Sequence, residues 1–193
     1  MRFLLPVILG VVAAGPAFAH IGQGDAGGSL VAGLLHPLLG VDHLLAIVGA
    51  GLWASLSGPR AMYMVPACFI GAMALGFVLA LMGLPLPAVE AMILASVVVF
   101  GLAVALAIGA DPRVFACMAG CFALFHGYAH GAEIGDAAAF TFGIGFVGAT
   151  AILLAAGIGL GDLAGRTGLR GRQVAQGLGG LVAVVAAASA LGA

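Results

Sequence analysis

The chain has 193 residues, 64% of them hydrophobic and 7% charged, with no lysine and a formal net charge of -1. A soluble domain carries about 25% charged residues, so a chain of this composition cannot cover itself with polar surface, and its outside is expected to face lipid. The near-neutral balance offers no electrostatic footprint for nucleic acid, which excludes that class of partner.

Met1 and Arg2 make a short positive start, Phe3 to Ala14 is an apolar run, and Pro16 precedes the A-x-A site Ala17-Phe18-Ala19. This is the pattern of a cleavable signal peptide over residues 1–19, too short for a comfortable membrane span. An uncleaved first helix is the alternative. Cleavage leaves a mature chain, 20–193, beginning at His20 in the periplasm of a bacterium. There a free amine beside the imidazole makes His20 either a bidentate chelate or a plain free terminus.

From Gly28 onward, long apolar runs alternate with short breaks rich in glycine and proline, the residues that stop helices. The runs predict helices over 29–56, 61–83, 88–109, 113–132, 137–160 and 174–192, each near the ~20 residues that cross the hydrocarbon layer. No break is long enough for a second domain. The expected fold class is an all-α integral membrane protein with about six transmembrane helices in one domain.

Arginine placement tests this topology independently. Arg60, Arg113, Arg166, Arg170 and Arg172 all fall in or beside the first, third and fifth connections, which share one side. The positive-inside rule makes that side cytoplasmic and puts both mature termini in the periplasm of an inner-membrane protein.

Small residues at four-residue spacing, Ala72, Gly76 and Ala80 in the second run and Gly145 and Ala149 in the fifth, predict close helix packing. Gly157-Ile158-Gly159-Leu160-Gly161 lacks the strand-turn-helix setting and the acidic ribose partner of a dinucleotide loop.

Ionisable side chains at membrane depth cost several kcal/mol unless paired or functional, and here they cluster. The first span carries His36, Asp42 and His43; the end of the fourth carries His126, His130 and Glu133. His126, His130 and Glu133, at intervals of four and three, project from one helix face. His36 and His43, seven apart, share another face, while Pro37 and Gly40 are expected to interrupt the helix and let Asp42 turn inward. Both clusters fall in the periplasmic half of the membrane and can meet. Four imidazoles and two carboxylates suit nickel, cobalt, zinc or copper(II), and suit sodium or potassium poorly.

Glu90, near the start of the third span, either lines a metal entrance or stabilises the helix dipole. Asp25 and Asp136 read as solvated loop acids. Cys68, Cys117 and Cys121 form no CxxC motif and are expected to be buried small hydrophobes, the last two turned from the histidine stripe.

The segments His36-Pro37 through Asp42-His43, Gly51-Leu52-Trp53-Ala54, and Phe125-His126-Gly127-Tyr128-Ala129-His130-Gly131-Ala132-Glu133 resemble the paired signatures of the HupE/UreJ family. The signal peptide and the histidine directly after it are similar too. The resemblance implies a nickel, sometimes cobalt, permease linked to hydrogenase or urease maturation proteins, acting by secondary transport or facilitated diffusion. Its metal is cargo, with no cofactor and no catalysis. His36, Asp42, His43, His126, His130 and Glu133 would replace the hydration of the ion, with Glu90 and His20 collecting it. The chain lacks a GxxxxGK[ST] nucleotide loop. None is required, since a divalent ion moving down ~100 mV gains about 4.6 kcal/mol. Two other readings stay open: a metal-binding accessory or sensor protein without transport, and an intramembrane metalloenzyme, against which the absence of HExxH counts.

With the two motifs opening the first and fourth of six spans, a further expectation is a pair of three-helix halves of opposite membrane orientation.

Overall fold

The structure, a computed structural model, describes residues 30–134 and 139–190. The expected signal peptide, His20, Asp25 and Asp136 lie outside the described residues. The described residues fold as seven α-helices with no strand among them: α1 (Leu30–Leu39), α2 (Val41–Leu56), α3 (Ala61–Leu81), α4 (Val89–Ala105), α5 (Pro112–Glu133), α6 (Ala139–Arg166) and α7 (Leu169–Ala190).

The expected first span is two helices. α1 and α2 meet at Gly40 and are bent by 83°. Pro37 has no N–H to give to the ladder, and Gly40 takes an extended conformation (φ -83°, ψ 106°) that ends α1 and starts α2. α3, α5 and α6 are each long and apolar enough to cross a membrane, and α1 with α2 makes a fourth span if the bent pair counts as one. α4, with 17 residues, is shorter than the 88–109 expectation. Large apolar side chains such as Tyr63, Phe140 and Ile152 point outward, as a bundle solvated by lipid requires.

α6 runs to Arg166, beyond the expected end at 160. Asp162 and Arg166 pair one turn apart at 2.8 Å and add a little support to the last turn. The chain then turns at Gly168, whose φ of +72° suits glycine. α5 starts where Asp111 accepts a hydrogen bond from the Arg113 amide at 2.8 Å, with Pro112 in its first turn.

Close backbone approach fixes the helix pairs. A side chain at Gly76 would overlap the Leu124 carbonyl, and one at Gly127 the Met73 carbonyl, so α3 and α5 pack main chain to main chain. Gly33 and Gly145 do the same between α1 and α6, Gly51 and Gly157 between α2 and α6, and Gly101 and Gly179 between α4 and α7. The main pairs are α1 and α2 with α6, α3 with α5, and α4 with α7. Taking α1 with α2 as one unit, exchanging α1–α2, α3 and α4 for α5, α6 and α7 in order leaves this pattern unchanged.

At one end of the bundle Ser57, Gly58, Pro59, Arg60 and Pro112 line a common cleft, and the Trp53 indole N–H donates to the Ile108 carbonyl at 2.6 Å. The first and third connections therefore lie side by side, together with Arg60.

Candidate metal centre

The α1–α2 break and the last two turns of α5 bring all four described histidines together. The glycine stripe of α5, Gly127 and Gly131, is pressed onto Met73 and Phe77 of α3, which turns the adjacent stripe of His126 and His130 into the core. From the other side, α1 and α2 lie against α6 and present His36 and His43 to that stripe. His130 is central: its ring centroid lies 4.4 Å from that of His36 and 4.3 Å from that of His43, while His43 lies 4.7 Å from His126. Phe142 and Phe146 of α6 close the walls around His36 and His130, and Phe69 of α3 lies beside His126.

His36, His130 and Glu133 form one convergent group. Each offers a ligand atom lying within 4.8 Å of the other two. His36 Nε2 is 3.5 Å from Glu133 Oε2, and His130 Nδ1 is 3.8 Å from the same oxygen. Two imidazoles and a carboxylate are a sound donor set for a divalent transition metal. Side-chain exposure falls from 52% at Glu133 through 33% at His36 and 12% at His43 to 3% at His130. His126, deeper still, is wholly buried. The cluster thus grades from an accessible mouth to an enclosed interior.

Asp42 stands in the first turn of α2. Its Oδ1 accepts from the His43 backbone amide at 2.8 Å and lies 2.9 Å from His43 Nδ1. It steers the His43 ring, and both residues stay outside the convergent group. Gly40 keeps room for this pair, since a side chain there would come within 3.1 Å of His43 Nδ1. His43 Nε2, His126 Nδ1 and both His130 nitrogens are buried with no hydrogen-bond partner among the described residues. Imidazole nitrogens left unpartnered in an apolar interior are costly, and a cation is one group that could take up their lone pairs.

Glu90 occupies the first turn of α4, is exposed, and is not in the convergent group. The cysteines correct the expectation of burial: Cys68, Cys117 and Cys121 are all exposed. α3 and α5 use their glycine faces to pack, which leaves the thiols on the outside, where lipid makes a small apolar residue as acceptable as in a core. Ser96 is a residue that sequence reading passes over. It is buried in α4 and lies 2.8 Å from His126 Nε2. A serine inside a 17-residue apolar helix was the available signal.

Fold and site together define a multi-pass α-helical membrane protein with a histidine–carboxylate cluster enclosed among its helices. The sequence pattern described as "HupE / UreJ protein" matches residues 8–189. Protein HupE of Rhizobium leguminosarum bv. viciae is 42% identical over 178 residues, covering 92% of each chain. The chain belongs to the HupE/UreJ family. No solved structure matches it.

Proposed function

We propose that this protein moves a divalent transition metal, nickel or cobalt, from periplasm to cytoplasm across the inner membrane, and so supplies hydrogenase or urease maturation. The observation that carries this reading is the convergence of His36, His130 and Glu133 within 4.8 Å, at the accessible end of a cluster that continues inward. In this reading residues 1–19 are removed as a signal peptide, both mature termini face the periplasm, and the single domain 20–193 holds the pathway.

The ion sheds water at Glu133 and His36, where exposure still admits solvent, and exchanges it for imidazole nitrogen at His130. His43, steered by Asp42, and His126 then offer further nitrogens, so that no stage leaves the ion unsolvated in hydrocarbon. Glu90 and His20 gather the ion at the periplasmic mouth. The membrane potential drives the movement inward, with about 4.6 kcal/mol available per divalent ion at ~100 mV. Nickel and cobalt are favoured over alkali ions by the nitrogen donors, and the choice of nickel rests on the family.

Uptake of radioactive nickel into sealed vesicles containing only this protein tests the reading. Saturable accumulation that grows with an inside-negative potential is the expected result. Nickel bound to the protein but never released inside would favour a metal-binding accessory or sensor instead.

A further inference from the structure

The hydrogen bonds of Ser96 have directions set by proton count. A serine hydroxyl has one proton to give. The Ile93 carbonyl, 2.6 Å from Ser96 Oγ, can only accept, so that proton goes there. The contact of 2.8 Å with His126 Nε2 must then run the other way, with the imidazole N–H donating and Ser96 Oγ accepting. A neutral imidazole protonated on Nε2 carries its lone pair on Nδ1, and His126 Nδ1 is the nitrogen that is buried and unpartnered among the described residues. The same logic holds for His43, where the carboxylate of Asp42 at 2.9 Å from Nδ1 leaves the lone pair on the unpartnered Nε2. The two rings lie 4.7 Å apart.

We propose that Ser96 is a positioning residue that holds His126 as the Nε2–H tautomer and thereby makes Nδ1 its ligand atom for a divalent cation in the enclosed part of the cluster. Asp42 does this for His43 with a charged acceptor, and Ser96 does it for His126 with a neutral one. A carboxylate at position 96 would have had to be desolvated in the core of the bundle, whereas a serine back-bonded to its own helix brings an oriented acceptor at little cost. Without it, His126 Nε2 has no acceptor, the tautomer is no longer specified, and ligation through Nδ1 weakens. The cation is that of the transport reading, but the tautomer does not depend on transport.

The test uses the full chain in lipid nanodiscs with 15N-labelled histidine, the His126 signals being identified by their loss in His126→Gln. Zinc is the probe, because it is diamagnetic and takes imidazole nitrogen. In the metal-free protein the His126 signals should show a protonated Nε2 and a bare Nδ1, and zinc should shift Nδ1. Ser96→Ala should give mixed tautomers and raise the nickel concentration for half-maximal uptake by about ten- to a hundredfold, at normal membrane abundance. Ser96→Thr, which keeps the hydroxyl, should restore both. A protonated Nδ1 in the unaltered protein, an Nδ1 signal that zinc leaves in place, or unchanged half-saturation in Ser96→Ala would overturn the proposal. If the unaltered protein takes up no nickel while zinc still shifts Nδ1, the transport reading fails and the assignment of Ser96 stands.

Discussion

His36 and Glu133, from two helices far apart in sequence, hold Nε2 and Oε2 3.5 Å apart at the accessible end of the histidine cluster. Neither side chain is enclosed by the bundle, His36 being 33% and Glu133 52% exposed. In the proposed reading their approach makes a point where an incoming cation meets nitrogen and oxygen donors together, with His130 immediately behind.

Removing members of that group should therefore stop transport without unfolding the protein. His130→Ala is expected to abolish nickel uptake, and His36→Ala and Glu133→Gln to lower it at least tenfold, while membrane protein levels stay near normal. Cys117→Ser and Cys121→Ser, on the outer face, serve as controls with near-normal uptake. Radioactive nickel uptake, normalised to the protein in each membrane preparation, checks all five. Normal transport in His130→Ala with loss in the cysteine variants would replace this site by a thiolate pathway for softer metals.

Asp42 makes a finer distinction. Its Oδ1 accepts from the His43 amide and lies 2.9 Å from the ring Nδ1, so in the proposed reading its work is to orient a ligand. Asp42→Asn retains an oxygen that can accept from His43 and should keep part of the activity, with a loss of about tenfold. Asp42→Ala should lose nearly all of it. Equal, complete loss in both variants would mean that the carboxylate charge itself meets the metal. Uptake measured over a range of nickel concentrations separates the two outcomes.

Much of this was legible in the sequence because lipid simplifies the code. Six apolar runs with glycine and proline between them predicted the helices, and the break near Pro37 and Gly40 followed from a residue that lacks an N–H beside one that lacks a side chain. The meeting of the two histidine motifs also followed, since only a few ionisable groups stood against an apolar background. The length of α6 was hidden because its continuation past 160 runs through glycines and charged residues that read as a polar break. The exposure of the cysteines was hidden because hydropathy does not tell a core-facing from a lipid-facing position. Ser96 was hidden for a different reason: its partner His126 is thirty residues away, and only the packing of α4 on α5 brings them together.

The side-by-side placement of Arg60 and the start of α5 gives the topology a direct check. Reporter fusions after Arg60, Arg113 and Arg170 should report cytoplasm, and fusions near Pro85, Asp136 and Ala193 should report periplasm. A cytoplasmic signal at Ala193 would require an odd number of crossings and would displace one helix, with α4 the first candidate because it has only 17 residues.

The packing of α3 on α5 gives the last prediction, one about stability. Gly127 lies against the main chain of Met73, where an added methyl would overlap the carbonyl oxygen. A backbone atom cannot move aside as a side-chain tip can, so Gly127→Ala must push the two helices apart. The cost is on the order of 1–3 kcal/mol, and more for Gly127→Val. Because Gly127 neighbours His126 on the same turn, such a shift would also move the imidazole from Ser96 and His43, so uptake per molecule should fall along with abundance. Gly71, on the outer side of α3, has nothing within 4 Å of an added side chain, and Gly71→Ala should be neutral or slightly stabilising through helix propensity. Thermal unfolding of the detergent-solubilised protein, with nickel uptake per molecule, measures both effects. Equal stability of the two alanine variants would show that α3 and α5 are not in main-chain contact at this crossing.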